Sequence, residues 1–147
     1  MKIRNGFVSN SSSSSFIIGL AKVTDLNKAA KLIEDSSYET RIIKFADIHA
    51  DDWGAHRSGS TVRLESFRGD KIQLENLEPN DYVLVVDICN DEGDTGFFSY
   101  DEQWGGIDYD IDLNYFTSEE QKIYNAIANG IDGLASGQVV YGAARNG

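Results

Sequence analysis

Apolar and polar positions change period several times along the chain. Residues 1–8 alternate, Asn10 and five serines at 11–15 interrupt them, and Phe16, Ile17 and Ile18 resume an apolar run. That pattern predicts two short strands joined by a polar, serine-rich segment at 9–15, whose composition favours mobility. From Thr24 the period lengthens. Leu26, Ala29, Ala30 and Ile33 fall at i, i+3, i+4 and i+7, which predicts an amphipathic helix over about 24–35 with Thr24 as N-cap and Asp25 in its first turn. Residues 39–48 then read as a strand with Ile43 and Phe45 on one side, and 60–67 with 71–75 alternate around Arg68-Gly69-Asp70 as a hairpin. Glu78-Pro79-Asn80-Asp81 has turn chemistry. The run after it, 82–89, holds Val83, Leu84, Val85 and Val86 without a break, the mark of a strand buried on both faces. Residues 107–113 alternate again, with Ile107, Tyr109, Ile111 and Leu113 on one face and Asp108, Asp110 and Asp112 on the other. Thr117 and Glu120 have capping-box spacing before a stripe of Ile123, Tyr124, Ile127 and Ala128, so a second helix is expected over 118–129, closed by Gly130. A last strand is expected at 138–141. The expectation is one α+β domain over 1–147, a mostly antiparallel sheet carrying two amphipathic helices.

Composition agrees with folding: 41% of the 147 residues are hydrophobic and 11% aromatic, whereas an acidic disordered chain would be short of both. The lone cysteine, Cys89, has no internal disulfide partner, and no apolar run approaches the roughly 20 residues that cross a bilayer. A soluble, cytoplasmic protein is the expectation. The charge is more informative. The formal net charge is −11, and the fifty residues 72–121 contain fourteen carboxylates and no Lys, Arg or His. Such a balance opposes direct nucleic-acid or anionic-membrane binding, both of which need cations, and suits a basic partner.

The segment GFVSNSSSSSF, residues 6–16, resembles an N-terminal signature found on many otherwise dissimilar small proteins of phages, prophages and some Firmicutes. The resemblance implies a phage or mobile-element setting, hence a host-cell cytoplasm, and carries no active site with it. The serines lack the glycines and the lysine of a phosphate-binding P-loop.

Several groups are candidates for chemistry. Asp47, His49, Asp51, Asp52 and His56 place both histidines and three aspartates within ten residues, ligand types that borderline divalent ions accept. Asp47-Ile-His49 resembles the opening motif of calcineurin-like metallophosphatases; Gly69-Asp70 follows, but no Gly-Asn-His and no third histidine. With Asp87 as a further ligand, this cluster defines a second reading, a small metal-dependent hydrolase or nuclease. Cys89 with a histidine would make a nucleophile–base pair, though lone cysteines commonly serve as small core residues. Residues 90–96 lack the EF-hand glycine, Thr95 standing in its place, and read as an acidic turn.

The leading reading concerns the acidic segment. On a strand, Asp108, Asp110 and Asp112 would stand about 6.5–7 Å apart. Flanked by Asp91, Glu92, Asp94, Asp101 and Glu102, with Trp104 at a loop tip as an anchor, they would form a single anionic face resembling a nucleic-acid strand. The corresponding function is an accessory protein that binds and inhibits a basic host protein, as anti-restriction and anti-CRISPR proteins do. No catalytic residue and no cofactor is assigned in that reading; a divalent metal belongs only to the second. A third reading is a ligand-sequestering or virion-associated module using Trp53 and Trp104, where a phosphate-rich ligand would draw on Arg57, Arg63 and Arg68. Strand order and oligomeric state are left open by the pattern.

Overall fold

The computed structural model describes residues 13–36, 40–49, 55–66, 69–92, 108–109 and 111–145. The chain is α+β, with antiparallel sheets and two helices. Strands β1 (Ser13–Lys22), β2 (Thr40–Lys44), β6 (Tyr82–Glu92), β7 (Asp108–Tyr109) and β8 (Gln138–Arg145) form a five-stranded sheet in the order β2-β6-β1-β8-β7. Strands β3 (Ala55–Ser58), β4 (Thr61–Glu65) and β5 (Lys71–Leu74) form a three-stranded meander. Helices α1 (Leu26–Leu32) and α2 (Ser118–Asn129) complete the described elements.

Period-two alternation sorts the large sheet's side chains onto two faces, and each face has its own cover. Phe16, Ile18 and Leu20 of β1 and Val83 and Val85 of β6 pack with Val62, Leu64 and Ile72 of the meander and with Phe45, Ile48 and Leu77. On the opposite face Ile17 and Ala21 of β1 and Leu84, Val86 and Ile88 of β6 meet Ala29 of α1 and Ile123, Ala126 and Ile127 of α2. The result is three layers: helices, five-stranded sheet, meander. Val83 to Val86 are 0–1% exposed, so the unbroken apolar run in β6 is buried on both faces as its composition predicts.

The middle of the sheet is β1, which the pattern alone reads as a linker and a short strand. Ser13, Ser14 and Ser15 are strand residues: they pair with Glu92, Asp91 and Asn90 on one side and with Arg145, Ala144 and Ala143 on the other. Serine's weak strand preference is overridden because β6 and β8 both offer a full ladder to its backbone. The rest of the serine segment, 9–12, lies outside the described residues. Burial leaves the Ser15 and Thr40 hydroxyls without a hydrogen-bond partner, a desolvation cost that the surrounding apolar packing offsets.

Both helices form, with one correction to α1. Asp25 is its N-cap, the carboxylate accepting from Lys28 N–H at 3.1 Å, whereas Thr24 held that place in the pattern. Of the expected stripe, Ala29 and Ile33 face the core together with Leu32, whereas Ala30 is exposed and Leu26 is 44% exposed. In α2 the capping box is present in both directions, Glu120 N–H to Thr117 Oγ1 at 3.1 Å and Thr117 N–H to Glu120 Oε1 at 3.0 Å. Gly130 ends it in the left-handed conformation.

The expected hairpin is β4–β5, with Leu64 opposite Ile72. Ser66 closes its turn: Ser66 N–H donates to the Asp70 carbonyl at 2.8 Å and the Ser66 hydroxyl to the Asp70 carboxylate at 3.0 Å. Arg68 is outside the described residues. The Pro79 turn is closed by Asp81 N–H on the Glu78 carbonyl at 3.0 Å and by Glu78 N–H on the Asp81 carboxylate at 2.8 Å.

Candidate acidic interface

Register places three acids from distant parts of the chain at one end of the five-stranded sheet. Asp91 of β6 is opposite Ser14, Ser14 opposite Ala144, and Ala144 opposite Asp108 of β7. Glu92 is one step further out, opposite Ser13. Asp91 and Asp108 therefore occupy one cross-strand row, three strand spacings apart, or about 14 Å. Residues 90–92, expected as the start of an acidic turn, instead extend β6 to Glu92. Pairing with the serines accounts for the extension, because β1 continues to supply backbone partners as far as Ser13.

The predicted row of three aspartates is not formed as one strand. Among the described residues of the segment only Asp108 and Tyr109 pair with β8, Asp110 lies outside the described residues, and Asp112 caps a short 3-10 turn (Leu113–Tyr115), its carboxylate accepting from Asn114 N–H at 3.0 Å. The chain leaves the sheet edge there because Ile111 and Phe116 find burial over Ala143 and Tyr141. That burial outweighs extending an edge strand by a few hydrogen bonds. Asp112 and Glu119 remain exposed beside this end of the sheet.

Nor do all the acids of residues 72–121 share one face. Glu75, Glu78 and Asp81 precede β6, while Asp91 and Glu92 end it. The 11-residue strand puts Asp81 about 33 Å from its far end at the usual rise. Asp81 is moreover neutralised, lying 3.7 Å from the Lys22 ammonium. Asp94, Asp101, Glu102 and Trp104 lie outside the described residues, as does Trp53.

The metal candidates do not converge within what is described. Asp47 sits exposed in a 3-10 turn (Phe45–Asp47) and His49 is exposed beyond it, whereas His56 is on β3. Asp51 and Asp52 lie outside the described residues. Among the described residues no three His, Cys, Asp or Glu side chains form a metal-holding group. Cys89, opposite Phe16 in register, is exposed and does not serve as a core residue.

One cavity was not anticipated as a unit. His56 of β3, Arg63 of β4 and Gln73 of β5 form a single cross-strand row on the outer side of the meander, alternate to the buried Val62, Leu64 and Ile72. With Ser58 and Thr61 they line a cavity of about 260 Å³. Arg57 points the other way, its Nε donating to the Ile48 carbonyl at 2.6 Å and its guanidinium lying over the Phe45 ring. Period-two alternation in 55–58 and 61–65 was the available signal; which strands neighbour each other decided the rest.

No protein-family model matches the chain, no curated protein is significantly similar to it, and no solved structure matches it. Among the described residues no helix is long and apolar enough to cross a membrane.

Proposed function

We propose that the chain is a binding protein of phage type that uses the acidic end of its five-stranded sheet to occupy a Lys/Arg-lined surface of a basic host protein, one that acts on nucleic acid or in defence, and thereby inhibits it. The observation that carries this reading is the gathering of Asp91, Glu92 and Asp108 at one sheet end, where Arg145 of β8 is the cation in the Glu92 row, with Asp112 and Glu119 exposed. Like charges held together on a rigid scaffold repel one another, and a cationic partner relieves that repulsion while gaining steered association. The anionic footprint in this reading is narrower than residues 72–121, because Asp81 lies at the opposite end of β6, about 33 Å along the strand, and Glu75 and Glu78 precede that end.

The test is electrostatic. Retention of a basic partner by the immobilised chain is expected to weaken at least tenfold between about 50 and 300 mM salt, because counterions screen the attraction. Reversing Asp91, Glu92 and Asp108 to Lys is expected to abolish retention, whereas Glu75→Lys with Glu78→Lys leaves it intact. Retention indifferent to salt and to the first set of reversals would refute the proposal.

A further inference from the structure

The cavity on the outer side of the meander has a chemistry opposite to that of the molecule around it. Its five lining residues are an arginine, a histidine, two hydroxyl residues and an amide, with no carboxylate among them. Arg63 presents a planar fork of N–H donors, Ser58 and Thr61 each an O–H, and Gln73 an amide. Register makes the grouping rigid: Arg63 is flanked directly by His56 on one side and Gln73 on the other, and Ser58 faces Thr61 across the hairpin. The frame is also anchored, since Gln73 N–H donates to the Gln138 side-chain oxygen of β8 at 2.9 Å. Two carboxylates stand at its margin. Glu75 accepts from the Gln73 amide at 2.5 Å, and Glu65 stands opposite Lys71 in register. Among the described residues, no carboxylate reaches salt-bridge distance of the Arg63 guanidinium.

In a chain of net charge −11, a guanidinium that has no salt-bridge partner among the described residues and stands in a concave set of donors is a natural receptor for an external anion. We propose that this cavity is a phosphate-binding site, taking free phosphate or the phosphoryl group of a small monoester. A guanidinium engages two oxygens of an oxyanion at once, and the Ser58 and Thr61 hydroxyls supply donors for a third terminal oxygen, which a phosphoryl group has and a carboxylate lacks. The volume, about 260 Å³, falls just under the usual range of about 300–1,000 Å³ for drug-sized ligands, so the ligand is small. This site is separate from the acidic interface and stands whether or not that interface binds a basic protein.

The experiment is an NMR titration of the full chain at constant ionic strength, with inorganic phosphate, with adenosine monophosphate, and with acetate as the carboxylate control. Saturable shifts in residues of β3, β4 and β5 are expected with phosphate. Affinity should fall at least tenfold in Arg63→Gln, an exposed strand position where the spectrum shows directly whether the fold is kept. Tighter binding of the nucleotide than of phosphate identifies a monoester as the ligand; equal affinity identifies the free anion. The absence of saturable shifts, acetate binding as tightly as phosphate, or unchanged affinity in Arg63→Gln would each overturn the site.

Discussion

At Gly137 the demands on a single position are most exacting. A Cβ there would lie 2.1 Å from the Leu20 carbonyl oxygen and 2.9 Å from Ala21 Cα, both backbone atoms of the middle strand that cannot rotate away. Gly137→Ala must therefore push β1 and the approach to β8 apart, and a loss of about 3 kcal/mol or more is expected. Gly59 makes the useful contrast: nothing lies within 4 Å of its notional Cβ, and only its φ of +61° resists a side chain. Gly59→Ala should cost about 1 kcal/mol, the left-handed penalty alone. Urea unfolding of both variants separates the two causes, and equal losses would show that the close approach at Gly137 does not constrain the fold. The close approach at Gly137 is not readable in the sequence, because it depends on the neighbouring middle strand.

Among the elements, those defined by local chemistry appear where the pattern puts them. α2 starts at a reciprocal capping box and stops at a left-handed glycine, β6 follows the only proline, and β4 and β5 meet across a short glycine-containing turn. Those defined by distant partners do not. β1 becomes a ten-residue strand because β6 and β8 flank it, and of the described residues in the alternating segment before α2 only Asp108 and Tyr109 join the edge. Because β6 and β1 lend one face to each of the two cores, damage on either side should be felt by the whole. Leu84→Ala, under the helices, and Leu64→Ala, in the meander, are each expected to cost about 2–5 kcal/mol. Backbone amide NMR signals of the meander and of the helices, followed through urea unfolding, should report one shared transition for each variant; two separated transitions would show that the layers fold independently.

Across the whole molecule the dominant feature is charge. Among the described acids of residues 72–121, Glu75, Glu78 and Asp81 precede β6, Asp87 lies within it, and Asp91, Glu92 and Asp108 are at its far end, which lowers repulsion between the ends but leaves it within each. Salt screens such repulsion over about 8 Å at physiological ionic strength. Raising sodium chloride from about 10 to 150 mM should therefore raise the melting temperature by about 4 °C or more, equivalent to roughly 1 kcal/mol in a chain of this size. Chloride is the anion to use, since phosphate would also stabilise the fold by occupying the meander cavity. A melting temperature that falls or stays level would mean that the acids are already balanced within the fold.

Local sequence was enough to determine the elements whose signals lie within a few residues of one another: the apolar run of β6, the capped helix α2, the β4–β5 hairpin and the turn at Pro79. It also determined the excess of negative charge and its confinement to residues 72–121, since charge is a property of composition. Tertiary structure alone decided that serines form the start of the middle strand, that Asp91 and Asp108 share a row while Asp112 leaves it, and that His56, Arg63 and Gln73 line one cavity. The reason is the range of the forces. Caps, turns and periodicity act between near neighbours along the chain, whereas strand order and register are chosen by which distant apolar faces bury most surface, and no residue carries that information by itself.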